Sequence, residues 1–177
     1  KTAGDWLVGF GMAGAEDAGT AGDFSYAFDM ARDAGLRLTS HAGEWGGAQS
    51  IWDTLQDLKV ERVGHGVHAI NDPKLVDYLV ETGIVLEVNP GSNVALGVYP
   101  SLAEHPIAKL RDAGVKVTVS TDDPPFFNTT MTSEFEQLER VFGWGVNDFK
   151  QLNQAALEAA FCDAATKDLI AKRLETV

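Results

Sequence analysis

Three short stretches gather the residues able to do chemistry: "SHAGE" with His41 and Glu44, "RVGHG" with His65, and "STDDP" with Asp122 and Asp123. Histidine and aspartate are ordinary zinc ligands, and a catalytic zinc takes about three protein ligands and leaves a place for water. His41 and Asp122 are therefore candidate ligands, against the plainer readings of a satisfied structural histidine and a turn cap ahead of Pro124. Glu44 follows His41 by three residues. It is either a carboxylate favoured by a helix N-terminus or a carboxylic acid kept protonated by apolar surroundings and ready to give a proton. His65 stands between Gly64 and Gly66, which strip away neighbouring bulk and leave its imidazole open to an arriving group. His68 and His105 have neither glycine framing nor a strand-end place, and read as surface or capping residues. The single Cys162 rules out an internal disulfide and any cysteine-rich zinc motif. It reads as a packing residue in an alanine-rich helical run.

These residues need elements to bring them together. Five runs read as strands: 6–12, 36–41, 60–65, 84–89 and 115–122. Between them lie helical patterns with apolar residues at i, i+3 and i+4, such as Phe24, Phe28 and Ala31. Asp72 is a helix N-cap candidate with Pro73 in the first turn, and Gly35, Gly83 and Gly114 sit where helices stop before the next strand. Alternating strands and helices at this pitch imply parallel βαβ units and an α/β fold. "SEFEQLERVFGW" and the chain from Asn147 onward read as further helices that cap or complete the layer. In the strands, Arg37, Thr39 and His41 alternate with leucines, Glu87 and Asn89 with Ile84, Leu86 and Val88, and Thr118, Ser120 and Asp122 with valines. The polar phase ends at His41, His65, Asn89 and Asp122, and the first three recur at a 24-residue interval. One βα period per step places them side by side on the C-terminal rim of the strands, where parallel α/β folds bind ligands. A doubly wound sheet buries both strand faces as apolar runs; a polar inner phase favours a barrel.

Bulk properties narrow the partners. The 177 residues carry a net charge of −12, with 45% hydrophobic and 23% charged residues. That balance is ordinary for a globular domain, and the charge argues against a nucleic-acid partner, which needs clustered Lys and Arg. No run approaches the roughly 20 apolar residues of a membrane span, and no charged-then-apolar leader opens the chain. A small-molecule substrate, no membrane and a cytoplasmic location are the resulting expectations.

"SHAGE", "RVGHG", "NPGSN" and "STDDP", in this order and each after a strand, resemble the adenosine/adenine deaminase family of metal-dependent hydrolases. The likeness runs from "VGFGMAG" to the C-terminal helices, and "STDDPPFF" followed by "TTMTSEF" is in the style of bacterial adenosine deaminases. The resemblance implies a (β/α)8 TIM barrel and a Zn2+ cofactor. It implies His41 and Asp122 as zinc ligands, and Glu44 as the acid that protonates purine N1. It gives His65 the task of orienting and deprotonating the attacking water, Asp123 a hydrogen bond to N7, and Gly14 a backbone facing N3. The expected reaction is hydrolytic deamination of adenosine and 2′-deoxyadenosine to inosine and ammonia in purine salvage. Adenine or another 6-aminopurine is the alternative, and an inactive fragment or non-catalytic binding module is the alternative of another class. A hydrolase of cyclic amides shares barrel and zinc, but has no ring nitrogen for Glu44 to protonate.

Departures from the family set limits. No His-x-His occurs, although the family's zinc takes two histidines from such a motif on its first strand. A closed barrel needs eight strands and about 250 residues, against five strands here. Residues 1–177 are therefore expected to be one domain holding barrel strands four to eight, with the natural protein continuing upstream of Lys1. Alone, this chain is expected to be inactive and to expose two unpaired sheet edges. Asn89 stands where family members often carry Cys, and Ala15 where Asp is common; both bear on the substrate.

Overall fold

The computed structural model describes residues 4–176. Five parallel strands form one sheet in the order β1 (Gly9–Met12), β2 (Arg37–Ala42), β3 (Arg62–His65), β4 (Val85–Val88) and β5 (Val117–Val119). In strictly sequential strand order, right-handed crossovers carry the helices that pack on the sheet to one face. A doubly wound sheet would require a reversal of order. The architecture is thus α/β and of the barrel type, with β1 and β5 as edges among the described residues.

Four of the five strands are shorter than their sequence patterns, while β2 keeps its six residues, shifted by one. Gly4–Trp6 is a 3-10 turn, so β1 starts only at Gly9. β5 stops at Val119, and three residues on Asp122 takes a left-handed φ of 57°. The connecting helices are α1 (Ser25–Asp33), α2 (Gly47–Asp53), α3 (Pro73–Thr82), α4 (Pro90–Ala95) and α5 (Ile107–Asp112). α3 has the caps its sequence predicts: Asp72 accepts from the Lys74 N–H at 3.0 Å, and Gly83 ends the helix at φ 69°. Phe28 and Ala31 of α1 are buried, whereas Phe24 lies in the preceding 3-10 turn and is exposed. Beyond β5 come α6 (Pro124–Phe127), α7 (Met131–Phe142), α8 (Val146–Ala159) and α9 (Ala164–Glu175). No helix among the described residues is long and apolar enough to cross a membrane.

One apolar cluster joins sheet and helices. Leu38, Val63, Leu86 and Val117 from the strands meet Phe28, Ile51, Leu75, Leu79 and Leu110 from the helices. Burying each such side chain is worth about 1.5–3 kcal/mol. The opposite, inner face is polar, as the strand phases predict. Register places Thr39 beside Arg62 and Gly64 beside Glu87. Thr39 Oγ1 donates to Glu87 Oε2 at 2.8 Å, and Arg62 Nε lies 3.0 Å from Glu87 Oε1. Below this layer the link from α8 to α9 crosses the N-terminal end of the inner face. The Phe161 ring lies 3.5 Å from the Arg62 guanidinium carbon and 4.5 Å from that of Arg37. The two guanidiniums also donate to Ala159 O at 3.0 Å and Ala160 O at 3.2 Å, carbonyls freed at the C-terminus of α8. Cys162 is half-buried in this same link rather than within a helix.

Candidate active site

At the opposite end of the strands the four acidic and imidazole side chains converge. His41 shares the inner-face phase of Arg37 and Thr39. Its register partner is Gly64, where an added Cβ would collide with His41 Cδ2. Gly64 is therefore glycine to make room for the neighbouring imidazole, not to open His65. By register His65 pairs with Ala42, so plain alternation would send it to the helix side with Val63. A left-handed φ of 61° at His65 re-aims the ring, which packs edge-on against His41 with centroids 4.9 Å apart. The expectation of an open imidazole is corrected: His65 is 1% exposed. That burial, reinforced by His41, pushes its pKa down to about 4 against the opposing pull of Asp122 and Glu16. The ring is neutral at pH 7.

Glu44 follows β2 in the loop before α2. The N-cap of α2 is Gly46, and no side chain caps that helix, so Glu44 is not a capping carboxylate. Its Oε1 lies 3.5 Å from His65 Nδ1, and its side chain is 12% exposed. Burial first, then the carboxylates of Asp122 and Glu16, push its pKa up to about 7, while the Asn93 amide pulls the other way. These surroundings favour the acid form that the proton-donor reading requires. Asp122 accepts from Ser92 Oγ at 2.7 Å, and its Oδ2 lies 3.7 Å from His65 Nε2.

Potential ligand atoms of Glu44, His65 and Asp122 lie within 4.8 Å of one another. An imidazole nitrogen with carboxylate oxygens is a donor set that fits zinc. His41 stands beside this trio through its ring contact with His65. Gly14, at φ 123°, lines a cavity of about 310 Å³ together with His41 and Glu16. Asp123 is exposed at the N-terminus of α6, next to Asp122 in the chain. Asn89 is buried, its Nδ2 3.4 Å from both ring nitrogens of His65.

Several residues that hold the site escape sequence reasoning. The Glu16 carboxylate accepts four donors: the N–H groups of Gly43, Glu44 and Gly46 at 2.8–2.9 Å, and the Ser50 hydroxyl at 3.0 Å. Burial alone would raise its pKa, but these donors outweigh burial and hold it below the ordinary carboxylate value. Glu16 thereby fixes the loop that presents Glu44. Glu134 of α7, 1% exposed, accepts from the Gly91 N–H at 3.0 Å and Thr129 Oγ1 at 2.6 Å, tying "TTMTSEF" to the start of α4. His68 Nδ1 lies 3.1 Å from Gly43 O and so also braces the Glu44 loop. His105 caps, as expected, but is not at the surface: it is 2% exposed and accepts from the Ile107 N–H at 3.2 Å. "NPGSN" and "TTMTSEF", as motifs, pointed toward Ser92, Asn93 and Glu134; Glu16 and Ser50 carry no local signal.

With this geometry in place, likeness to known proteins is specific. The family described as Adenosine deaminase matches residues 1–177. A curated adenine deaminase from Rhizobium johnstonii is 48% identical over 174 residues, covering 98% of this chain and 54% of that protein. Another from Agrobacterium fabrum is 51% identical over 168 residues, covering 95% of this chain and 52% of that protein. The chain thus spans about half the length of these relatives. A crystal structure of adenine deaminase from Arthrobacter aurescens superposes with a TM-score of 0.92 at 33% identity, over 96% of this chain and 52% of that one. An amidohydrolase from Burkholderia ambifaria with bound Zn superposes at 0.84 and 30% identity, over 98% of this chain and 52% of that one.

Proposed function

This chain belongs to the adenosine deaminase family, and on that premise we propose that the protein carrying it hydrolyses the 6-amino group of a purine, with adenine as the substrate. The observation that carries the reading is Glu44, an acid whose pKa is raised to about 7, within 3.5 Å of a neutral His65 and beside Asp122. Two carboxyl groups in one site with opposite protonation are what acid-assisted attack on a ring requires. Adenine is preferred over the adenosine expected from the motifs because the similar curated relatives are named adenine deaminase. Asn89 and Ala15, which depart from the usual family residues, agree with a changed substrate.

His41 and Asp122 would hold a zinc ion, which when bound supplies a water acidic enough to attack at neutral pH. Glu44 gives its proton to purine N1, so that C6 accepts the electron pair of the incoming oxygen. His65 orients the attacking water, Asp123 hydrogen-bonds N7, and the backbone of Gly14 faces N3. Of the two protons of the attacking water one passes to the departing amino group and the other returns to Glu44, so that the C6–N bond breaks, ammonia leaves and adenine yields hypoxanthine. Residues 1–177 supply strands four to eight of a single (β/α)8 domain in this proposal, and the remaining ligands come from the other strands.

The test is ammonia release by the whole protein from adenine, adenosine and 2′-deoxyadenosine, with and without a zinc chelator. Release from adenine in preference to the nucleosides, abolished by the chelator, is the expected result. Release from none of the three sinks the deaminase reading and leaves a non-catalytic binding role.

A further inference from the structure

His105 is a buried histidine that the proposed chemistry does not use, yet it connects through one side chain to both groups that handle protons. The Ile107 N–H donates to His105 Nδ1 at 3.2 Å. A nitrogen that accepts carries no hydrogen, so in the neutral ring the hydrogen sits on Nε2. Burial first, and then His65, push the pKa of His105 down to about 4, which keeps the ring neutral. Nε2 lies 3.1 Å from Asn93 Oδ1. An amide alone could sit either way round, but an N–H facing it demands the oxygen there and turns Nδ2 to the other side.

Asn93 is fully buried on α4. Its backbone carbonyl is fixed by the N–H groups of Val98 at 2.9 Å and Tyr99 at 3.3 Å. Nδ2 has two hydrogens and two acceptors within reach: His65 Nδ1 at 3.1 Å and Glu44 Oε1 at 3.2 Å. An N–H arriving at His65 Nδ1 requires a lone pair there. Asn89 Nδ2, 3.4 Å from both ring nitrogens, favours neither, so neutral His65 carries its hydrogen on Nε2, the nitrogen on the side of Asp122. An N–H occupying Glu44 Oε1 leaves Oε2 as the oxygen that holds the acid hydrogen.

We propose that His105 is a positioning residue that acts through the Asn93 amide to fix the hydrogen of His65 on Nε2 and the acid hydrogen of Glu44 on Oε2. The catalytic meaning of this chain rests on the deaminase reading; its polarity can be read without turnover. A side chain outside the substrate's reach thereby sets the direction of hydrogen bonding at two groups that touch the reaction. Buried networks of this kind are decided by a single reversed partner.

The experiment uses the zinc-loaded whole protein with 15N-labelled histidine, reading the His65 tautomer by NMR beside kcat, KM and zinc content. His105→Phe keeps a ring but removes the N–H; His105→Gln returns an N–H donor toward Asn93. His105→Phe is expected to populate both His65 tautomers. It should lower kcat about 10-fold, the equivalent of one hydrogen bond of about 1.4 kcal/mol, with KM within about 2-fold and zinc unchanged. His105→Gln is expected to restore tautomer and kcat together. Asn93→Asp, which offers only acceptors when ionised, is a second probe should His105→Phe not fold, and is expected to move the His65 hydrogen to Nδ1. A His65 tautomer unmoved by His105→Phe, or by Asn93→Asp, overturns the proposal. Absence of ammonia release by the wild type would overturn the deaminase reading instead, with the NMR result still deciding on the hydrogen-bond chain.

Discussion

Gly64→Ala adds one methyl group where β2 and β3 hold His41 against the neighbouring backbone. A Cβ there falls inside the contact distance of His41 Cδ2 and lies 3.2 Å from both His41 Cγ and His41 Cα. The Cα belongs to backbone locked in register with Gly64, so it cannot withdraw and the ring has to turn. Carbon atoms pack at about 3.5–4.0 Å, which sets the displacement at roughly 1 Å. Misplacing a reacting group by about 1 Å costs about 100-fold in rate, or about 2.7 kcal/mol in the barrier. Overpacking adds about 1–3 kcal/mol of lost stability. Gly66→Ala is the comparison: at φ 67° its Cβ meets Leu86 Cδ2 at 2.6 Å, a core side chain rather than a site residue. That variant should lose stability while retaining zinc and most turnover below its melting temperature. The assays are zinc content after dialysis, ammonia release and thermal melting. Wild-type zinc and wild-type turnover in Gly64→Ala would refute the argument that this glycine exists for the His41 ring.

Glu44→Gln keeps the shape of the side chain and removes its acid hydrogen; turnover should fall about 10²–10⁴-fold with zinc retained, and lost zinc would make Glu44 a ligand instead. Folding raises the Glu44 pKa from 4.5 to about 7, so its stabilising contribution is complete below 4.5 and fades as pH rises through about 7. A carboxyl 13C titration of Glu44 in the metal-free protein checks this, and a midpoint near 4.5 contradicts it. Glu16→Gln places an amide among four donors and should cost about 1–3 kcal/mol at pH 7. Because folding lowers the Glu16 pKa, that contribution is present above 4.5 and is lost as pH falls through the lowered value. Urea unfolding should show the gap between wild type and variant closing in acid; a gap constant with pH argues against the ionised anchor.

Glu44 and Asp122 were legible because chemistry at a strand's end leaves a local mark: a polar side chain, a glycine or proline, and the end of an apolar run. The same logic placed the polar inner face, since Arg37, Thr39 and Glu87 alternate with residues that join the core. It overextended β1 and β5, where 6–12 and 115–122 read as strands but pairing holds only Gly9–Met12 and Val117–Val119. A β-prone composition says nothing about where the neighbouring strand stops. His65 reached the correct rim by an incomplete argument. Its register puts it in the opposite phase from His41, and only its left-handed backbone returns it. Glu16 and His105 were beyond reach for another reason: Glu16 meets its partners 27 to 34 residues away, and His105 meets Asn93 12 residues away, with no periodic pattern linking them.

The stack of Phe161 under Arg37 and Arg62 has a consequence for traffic. By lying across the N-terminal end of the inner face, with both guanidiniums held by the last carbonyls of α8, it gives the sheet's interior a floor. Whatever reaches Glu44 and Asp122 along that face comes from the rim carrying Trp45 and Phe126, both exposed. Entry and exit along this face then share one doorway, past the same aromatic side chains.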